Sequence, residues 1–251
     1  MVRRRVRLLH TSDIHVAGYA PTSEAPHLDQ CLCDLLAIEQ LGHDHEVDGV
    51  IIAGDLFDHA RVEEDLVTAV FAQLDKLPGE VILLVGNHDA HDDRSIYLRY
   101  EHVVQSSSVR FVDDHAGAES RMLDGAIHLW GRAMTEHSSA YRPLHGVAPR
   151  PADDVWYLVM GHGHHIGPGR AEDQHRSSII TDDDVRATGA DYVALGHHHV
   201  TSDVSMGGVT AWYSGAPSGY GGGQALVVDL CPTDGVSVTQ VAVEHPGDGC
   251  A

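Results

Sequence analysis

Apolar runs that stop abruptly at glycine and then deliver Asp, Asn or His recur along this chain. The sharpest is Val50-Ile51-Ile52-Ala53, which runs straight into Gly54-Asp55-Leu56-Phe57-Asp58. Residues 81–85 lead in the same way to Gly86-Asn87-His88-Asp89, residues 155–160 to Gly161-His162, and residues 192–195 to Gly196-His197-His198-His199. A fifth segment, Asp13-Ile14-His15, follows the run at 6–9 after only His10-Thr11-Ser12. An apolar run of this length is a buried strand. A glycine at its end lets the backbone turn closely. Open α/β sheets place their ligands at that carboxyl edge. The pattern therefore predicts a layered α/β protein with polar donors gathered at one end of its strands.

The spacing between these runs agrees. Leu28, Leu32, Leu35, Leu36 and Ile38 recur at helical intervals up to Gly42, a stop signal, after a loop over 18–26. Leu66, Val70, Leu74 and Leu77 mark a second helix over 62–77, ended by Pro78-Gly79. Strand–helix–strand alternation argues for parallel pairing in this half. Beyond it lie short strand-like runs at 109–112, 126–130, 155–160, 192–195, 209–213, 225–230 and 236–243. They are expected to form a second sheet packed on the first. Loop-rich excursions are expected over 132–154 and 163–174. Asp182, Asp183 and Asp184 suit the start of a helix over 182–188, where acids complement the dipole. Gly221-Gly222-Gly223 lacks the lysine and helix of a phosphate loop and is a turn.

The chain carries 37 acidic and 16 basic residues, for a formal charge of −21. Such a field disfavours indiscriminate contact with nucleic acid or an anionic membrane. No apolar stretch is long enough to span a bilayer, and the basic N-terminus lacks a signal-peptide core. The spacing of Cys31, Cys33, Cys231 and Cys250 matches no zinc knuckle or redox pair, so reduced thiols and a cytoplasmic location are expected.

The polar strand ends supply three oxygen donors (Asp13, Asp55, Asn87) and four imidazoles (His15, His162, His197, His199). That is too many for one ion and fits two that share a bridge, for which Asp55 is the candidate. Mixed nitrogen and oxygen donors without sulfur suit manganese, iron or zinc better than calcium or magnesium. On extended chain Asp13 and His15 face the same side, as do His197 and His199, with His198 pointing away. His164, His165 and His198 fit supporting roles around the centre. His128, His137, His145 and His175 carry no spacing argument. Asp89, Arg132, Tyr141 and Arg142 are candidates to face substrate, because their loops follow strand ends near the site.

These segments resemble the signature of the calcineurin-like metallophosphoesterase superfamily: D-x-H, G-D-x-x-D, G-N-H-[DE], G-H and G-H-x-H, spread over residues 13 to 199. Within it, His10-Thr11-Ser12-Asp13-Ile14-His15, the Leu-Phe of Gly-Asp-Leu-Phe-Asp, residues 191–197 and Tyr213-Ser214-Gly215-Ala216-Pro217 resemble the SbcD-type DNA repair exonucleases. The resemblance implies a four-layer αββα sandwich of two mixed β-sheets flanked by helices. It implies a dinuclear centre, with manganese as the expected metal and iron or zinc as alternatives. One ion would be held by Asp13, His15, Asp55 and His199, the second by Asp55, Asn87, His162 and His197. His88 would contact the scissile phosphate, alongside Asn87, and protonate the leaving oxygen. Asp58 would orient His88. The implied reaction is phosphodiester hydrolysis by in-line attack of a bridging hydroxide, on DNA, with a coiled-coil ATPase as partner. SbcD-type proteins continue into a cap; none is evident here, so a single domain over residues 1–251 is expected. Alternatives are a phosphodiesterase acting on a small nucleotide, a phosphomonoesterase, and a non-catalytic metal-binding subunit.

Overall fold

The computed structural model describes residues 3–17, 32–167, 177–219 and 221–245. The expected loop over 18–26, together with Leu28, Cys31, His175 and Cys250, lies outside them. The first strand, β1, is Val6–Thr11. Helix α1 (Cys33–Asp44), strand β2 (Gly49–Ala53), helix α2 (Glu64–Leu74) and strand β3 (Glu80–Leu84) follow. β1, β2 and β3 pair in parallel, Leu9 opposite Val50 and Val50 opposite Val81. Two short helices, α3 (Ile96–Arg99) and α4 (Glu101–Ser106), lead to β4 (Arg110–Val112). The chain then builds β5 (Ala118–Met122), β6 (Ile127–Gly131), β7 (Trp156–His162), β8 (His164–Ile166) and β9 (Ile179–Thr181). Helix α5 (Asp182–Ala187) and strands β10 (Tyr192–Gly196), β11 (Ser202–Asp203), β12 (Thr210–Tyr213), β13 (Gln224–Cys231) and β14 (Gly235–Ala242) complete it.

Two six-stranded sheets result, ordered β14-β13-β1-β2-β3-β4 and β11-β12-β10-β7-β6-β5. Both are mixed: β13 runs antiparallel to β1, and β5 antiparallel to β6. The apolar runs are unbroken because both faces of the central strands are buried. Leu8 and Ile51 enter the core between the sheets, where they join Leu158, Met160 and Ala194. Their neighbours Leu9, Val50 and Ile52 point outward under α1 and α2, with Leu35, Ile38, Val70 and Phe71. On the far side Val159, Val193 and Leu195 pack with Val185 of α5. The order of layers is thus helix, sheet, sheet, helix.

Several expectations need correction. Residues 109–112, 225–230 and 236–243 do not belong to the second sheet. They form β4, β13 and β14, the flanks of the first. The excursion after residue 163 begins with β8, which pairs with β9. Helix α1 continues through Gly42 to Asp44. A Cβ on Gly42 would stand 2.6 Å from Pro78 Cγ, so the glycine serves close packing and not termination. Cys33 is disulfide-bonded, contrary to the expected free thiol, whereas Cys231 is free. The acidic run behaves as expected: Thr181 Oγ1 accepts from Asp184 N at 3.2 Å, and Asp184 Oδ2 accepts from Thr181 N at 2.8 Å. Among the described residues no helix is long and apolar enough to cross a membrane.

Candidate metal centre

The parallel strands β1, β2 and β3 of one sheet and β7 and β10 of the other end at a common edge. β7 and β10 finish in register, His162 opposite Gly196, which sets His162 beside His197. Past the ends of β1 and β2 the two chains stay zipped. Asp13 N donates to Gly54 O at 3.0 Å, His15 N to Asp55 O at 3.0 Å, and Asp58 N to Val16 O at 3.1 Å. Asp13 and His15 do share a side, but not on extended chain. Their φ angles are 55° and 52°, with Asp55 at 54° and His197 at 104°. Left-handed backbone at non-glycine residues is costly and persists where the surroundings over-determine it. Glycine is required at two neighbours. A Cβ on Gly54 would stand 2.2 Å from His162 Nδ1, and one on Gly86 2.1 Å from Asp55 Oδ1.

The donor atoms converge. Asp13, His15 and His199 form one cluster, Asp13, Asp55 and His162 another, and His15, Asp55 and His88 a third towards the surface. His15 Nε2 lies 3.3 Å from His199 Nε2 and 3.8 Å from Asp55 Oδ2. His162 Nε2 lies 3.3 Å from that same Asp55 oxygen. Asn87 Oδ1 lies 3.1 Å from His162 Nε2 and 2.8 Å from His197 Nδ1. All seven expected ligands are therefore brought together. His88 and Asp58 stand at their rim. The side chains of Asp13, His15, Asp55 and His162 are at most 4 % exposed, whereas His88 is 43 % exposed. The centre is a buried floor with His88 on its open side.

Each carboxylate has one oxygen tied down and one turned inward. Asp13 Oδ2 accepts from His197 N at 3.0 Å and from Ser12 Oγ, which is itself 2.8 Å from Ser214 Oγ. Asp13 Oδ1 is buried and accepts no hydrogen bond. Asp55 Oδ1 accepts from His88 N at 2.9 Å, leaving Oδ2 to face His15 and His162. A buried carboxylate oxygen without a donor is unfavourable unless a cation compensates it. This orphaned oxygen, and a donor set of nitrogen and oxygen without sulfur, fit a divalent transition metal.

The electrostatics agree. Burial alone would raise the Asp55 carboxyl, but His162, His15 and the His88 N–H hold it below the usual carboxylate range. Burial would lower His162, yet the Asp55 charge and hydrogen bond raise it to about 9, so a proton there stands in for positive charge. Burial, reinforced by His162, pushes His197 down to about 3 and keeps it in the neutral form that ligates metals.

Residues 6–201 match the family described as Calcineurin-like phosphoesterase. The chain belongs to that family. It is 25% identical over 227 residues to the DNA double-strand break repair protein Mre11 of Methanopyrus kandleri, covering 84% of this chain and 49% of that one. It is 34% identical over 93 residues to the SbcD subunit of nuclease SbcCD of Escherichia coli, covering 34% and 22%. The chain thus spans half or less of the curated relatives it matches. The crystal structure of TT1561 of Thermus thermophilus shares the fold with a TM-score of 0.64 at 14% identity, over 96% of this chain and all of that one.

Asp58 is better connected than its sequence suggests. Its Oδ1 lies 3.3 Å from His88 Nδ1 and 3.1 Å from His15 Nδ1, and its carbonyl oxygen lies 2.8 Å from His88 Nδ1. The four candidates to face substrate are each engaged within the protein. Asp89 is buried, and it accepts from Gly86 N at 2.7 Å, Leu56 N at 2.9 Å, Phe57 N at 3.2 Å and Tyr97 Oη at 2.5 Å. It latches the two ligand loops together. Tyr141 is buried and donates to Ala133 O at 2.8 Å. Arg132 stacks on the Tyr141 ring and donates to His115 O and Arg142 O, and Arg142 pairs with Asp184. His198 stacks on Tyr213, 4.1 Å between centroids, and shares a 3.0 Å hydrogen bond with His164. His165 pairs with Asp182. Sequence reasoning missed the supporting roles of Asp89, Ser12 and Ser214. The only signal was position, each lying next to a ligand loop or in the late Tyr213-Ser214-Gly215 turn.

Proposed function

We propose that this chain is a dinuclear metal-dependent phosphodiesterase, a nuclease of the SbcD type acting on DNA. The observation that carries the reading is a floor of seven donors in which Asp55 Oδ2 faces both His15 and His162, with an exposed imidazole, His88, fastened to Asp58 at its rim. A scaffold that merely bound metal would have no use for that imidazole. One ion would be held by Asp13, His15, Asp55 and His199, the other by Asp55, Asn87, His162 and His197. When bound, the two cations neutralise the phosphoryl oxygens and acidify the attacking water. Manganese is the proposed metal.

The protein's own groups do the rest. Asp55 Oδ1 stays on the His88 N–H, which fixes the plane of the carboxylate that would bridge the ions. Ser12 and the His197 N–H do the same for Asp13. Asn87 and His88 contact the phosphate. His88, its Nδ1 held against Asp58, presents Nε2 to the open side and gives a proton to the leaving oxygen, a step worth about 10²–10⁴ in rate. The zipped loops hold these groups on rigid strand ends, which favours catalysis by orientation.

A phosphodiesterase for small nucleotides is the second reading, and one observation favours it. The basic N-terminal cluster is used internally. Arg3 pairs with Asp191 and Asp154, Arg4 with Asp48, and Arg5 and Arg7 with Asp229. It offers no free track for a DNA backbone, which needs clustered cations. By its name, the Escherichia coli relative is one part of a nuclease assembly. Under the nuclease reading this chain also works beside an ATPase partner, which would supply part of the DNA contact.

The test is a substrate panel. The manganese-loaded chain is assayed on linear double-stranded DNA, single-stranded DNA, cyclic nucleotides, bis(4-nitrophenyl) phosphate and 4-nitrophenyl phosphate. Metal-dependent hydrolysis favouring diesters is expected. Preference for the monoester overturns both diesterase readings, and small diesters cleaved with DNA untouched select the second.

A further inference from the structure

His137 lies in the segment after β6 and has no place in the motif set. That segment is pinned on both sides of it. His91 N donates to Met134 O at 2.7 Å, Tyr141 Oη donates to Ala133 O at 2.8 Å, and Ser178 Oγ donates to Ser138 O at 3.1 Å. The chain is therefore held from three residues before His137 and again one residue after it. The exposed His137 ring stands edge-on to His197, with centroids 6.0 Å apart and planes at 69°. Asp55, His162 and His88 all act on it electrostatically. His88 occupies the other flank, packed against His15 at 4.6 Å between centroids. Two imidazoles thus stand at the open side of the centre, one beside a ligand of each proposed ion.

We propose that His137 is a substrate-contacting residue that donates an imidazole N–H to a phosphoryl oxygen of the bound ester, on the side opposite His88. The assignment rests on the phosphoesterase reading. Its chemistry is that of a hydrogen bond to an anion, which is strong where water is partly excluded. The residue binds and orients; it transfers no proton. A long solvated loop would not keep an imidazole in this position, because ordering it costs conformational entropy that the three anchoring hydrogen bonds offset here.

The experiment uses the full chain loaded with manganese and inorganic phosphate as the probe, titrated by calorimetry into wild type, His137→Ala and His137→Gln. Replacement by alanine is expected to weaken phosphate binding about tenfold, with metal content and melting temperature unchanged. Glutamine, which keeps an N–H donor, recovers part of the loss. With bis(4-nitrophenyl) phosphate, KM rises about tenfold and kcat stays within about threefold of wild type. An unchanged phosphate affinity overturns the proposal. Loss of bound metal does so too, since it makes His137 a ligand, as does a collapse of kcat at unchanged KM, which makes it an acid. If no ester is hydrolysed by any form, the phosphoesterase reading fails while the phosphate titration still decides the role of His137.

Discussion

The backbone N–H of His88 donates to Asp55 Oδ1 at 2.9 Å, so the main chain of the proposed acid fixes the carboxylate whose other oxygen faces both His15 and His162. Asp55 Oδ2 is 3.3 Å from His162 Nε2 and 3.8 Å from His15 Nε2. Replacing Asp55 by Asn keeps the volume and removes the charge. Affinity for both ions should fall by more than about tenfold, since removing even a residue that only supports a ligand costs about 10–100-fold. Metal content after dialysis is the measurement. His199→Ala is the control that should weaken one ion and spare the other. Loss of a single ion from Asp55→Asn would disprove the bridge.

Asp58 and His88 should be separable. His88→Ala leaves every proposed ligand in place, so metal content is retained while kcat falls about 10²–10⁴-fold. Asp58 Oδ1 faces His15 Nδ1 as well as His88 Nδ1, at 3.1 and 3.3 Å. Asp58→Asn should therefore lower kcat and also weaken the ion that His15 would hold, because a carboxylate behind a ligating imidazole fixes its tautomer and orientation. Equal metal content in the two variants would confine Asp58 to His88.

Asp89 makes a stability prediction. Burial, reinforced by the Asp55 charge, raises its carboxyl to about 6, yet four donors converge on it. Asp89→Ala strands three backbone N–H groups and the Tyr97 hydroxyl in the core. A cost of about 3 kcal/mol follows, or about 6–12 °C in Tm for a chain of this size. Tyr97→Phe removes one donor and should cost about 1 kcal/mol. Calorimetry of the two variants checks the ratio; equal losses would mean that the carboxylate is not the hub.

The strands that carry the ligands were legible because burial on both faces leaves continuous apolar runs such as Val50-Ile51-Ile52-Ala53. β5, Ala118–Met122, alternates exposure and contains Glu119 and Arg121, so it lacks that signal. β13 was recognised as a strand but assigned to the wrong sheet. Its pairing of Val228 with Leu8 joins residues far apart in the chain, and nothing local encodes such a choice of partner. The convergence of the candidate donors was legible because metal chemistry restricts such donors to Asp, Asn and His at strand ends. The left-handed backbone of Asp13 and His15 was not, since a residue with φ near 55° has the same side chain as one on a strand. Asp89 was misread for a related reason. A carboxylate after Gly-Asn-His can face substrate or turn back under the loop, and only the position of Tyr97 and Gly86 decides.

His10 links the fold to pH. It is fully buried in β1, three residues before Asp13, and its Nδ1 shares a 2.8 Å hydrogen bond with the Tyr192 hydroxyl. Burial pushes its imidazole from 6.5 down to about 3. The unfolded chain therefore takes up a proton near pH 6.5 that the native state refuses until about pH 3. More protons bound in the unfolded state means that stability rises with pH across this window and is flat above it. The contribution of one such group is at most about 1.4 kcal/mol per pH unit. Other histidines that burial pushes down, including half-buried His198 at about 4, add to the wild-type slope, so the test is a difference. His10→Asn retains a partner for Tyr192 and does not titrate. In urea unfolding with a chelator present, the variant's stability should fall less steeply between pH 6 and pH 4, by up to one proton's worth of slope. A slope identical to wild type would show that His10 is protonated as readily in the native state as in the unfolded chain.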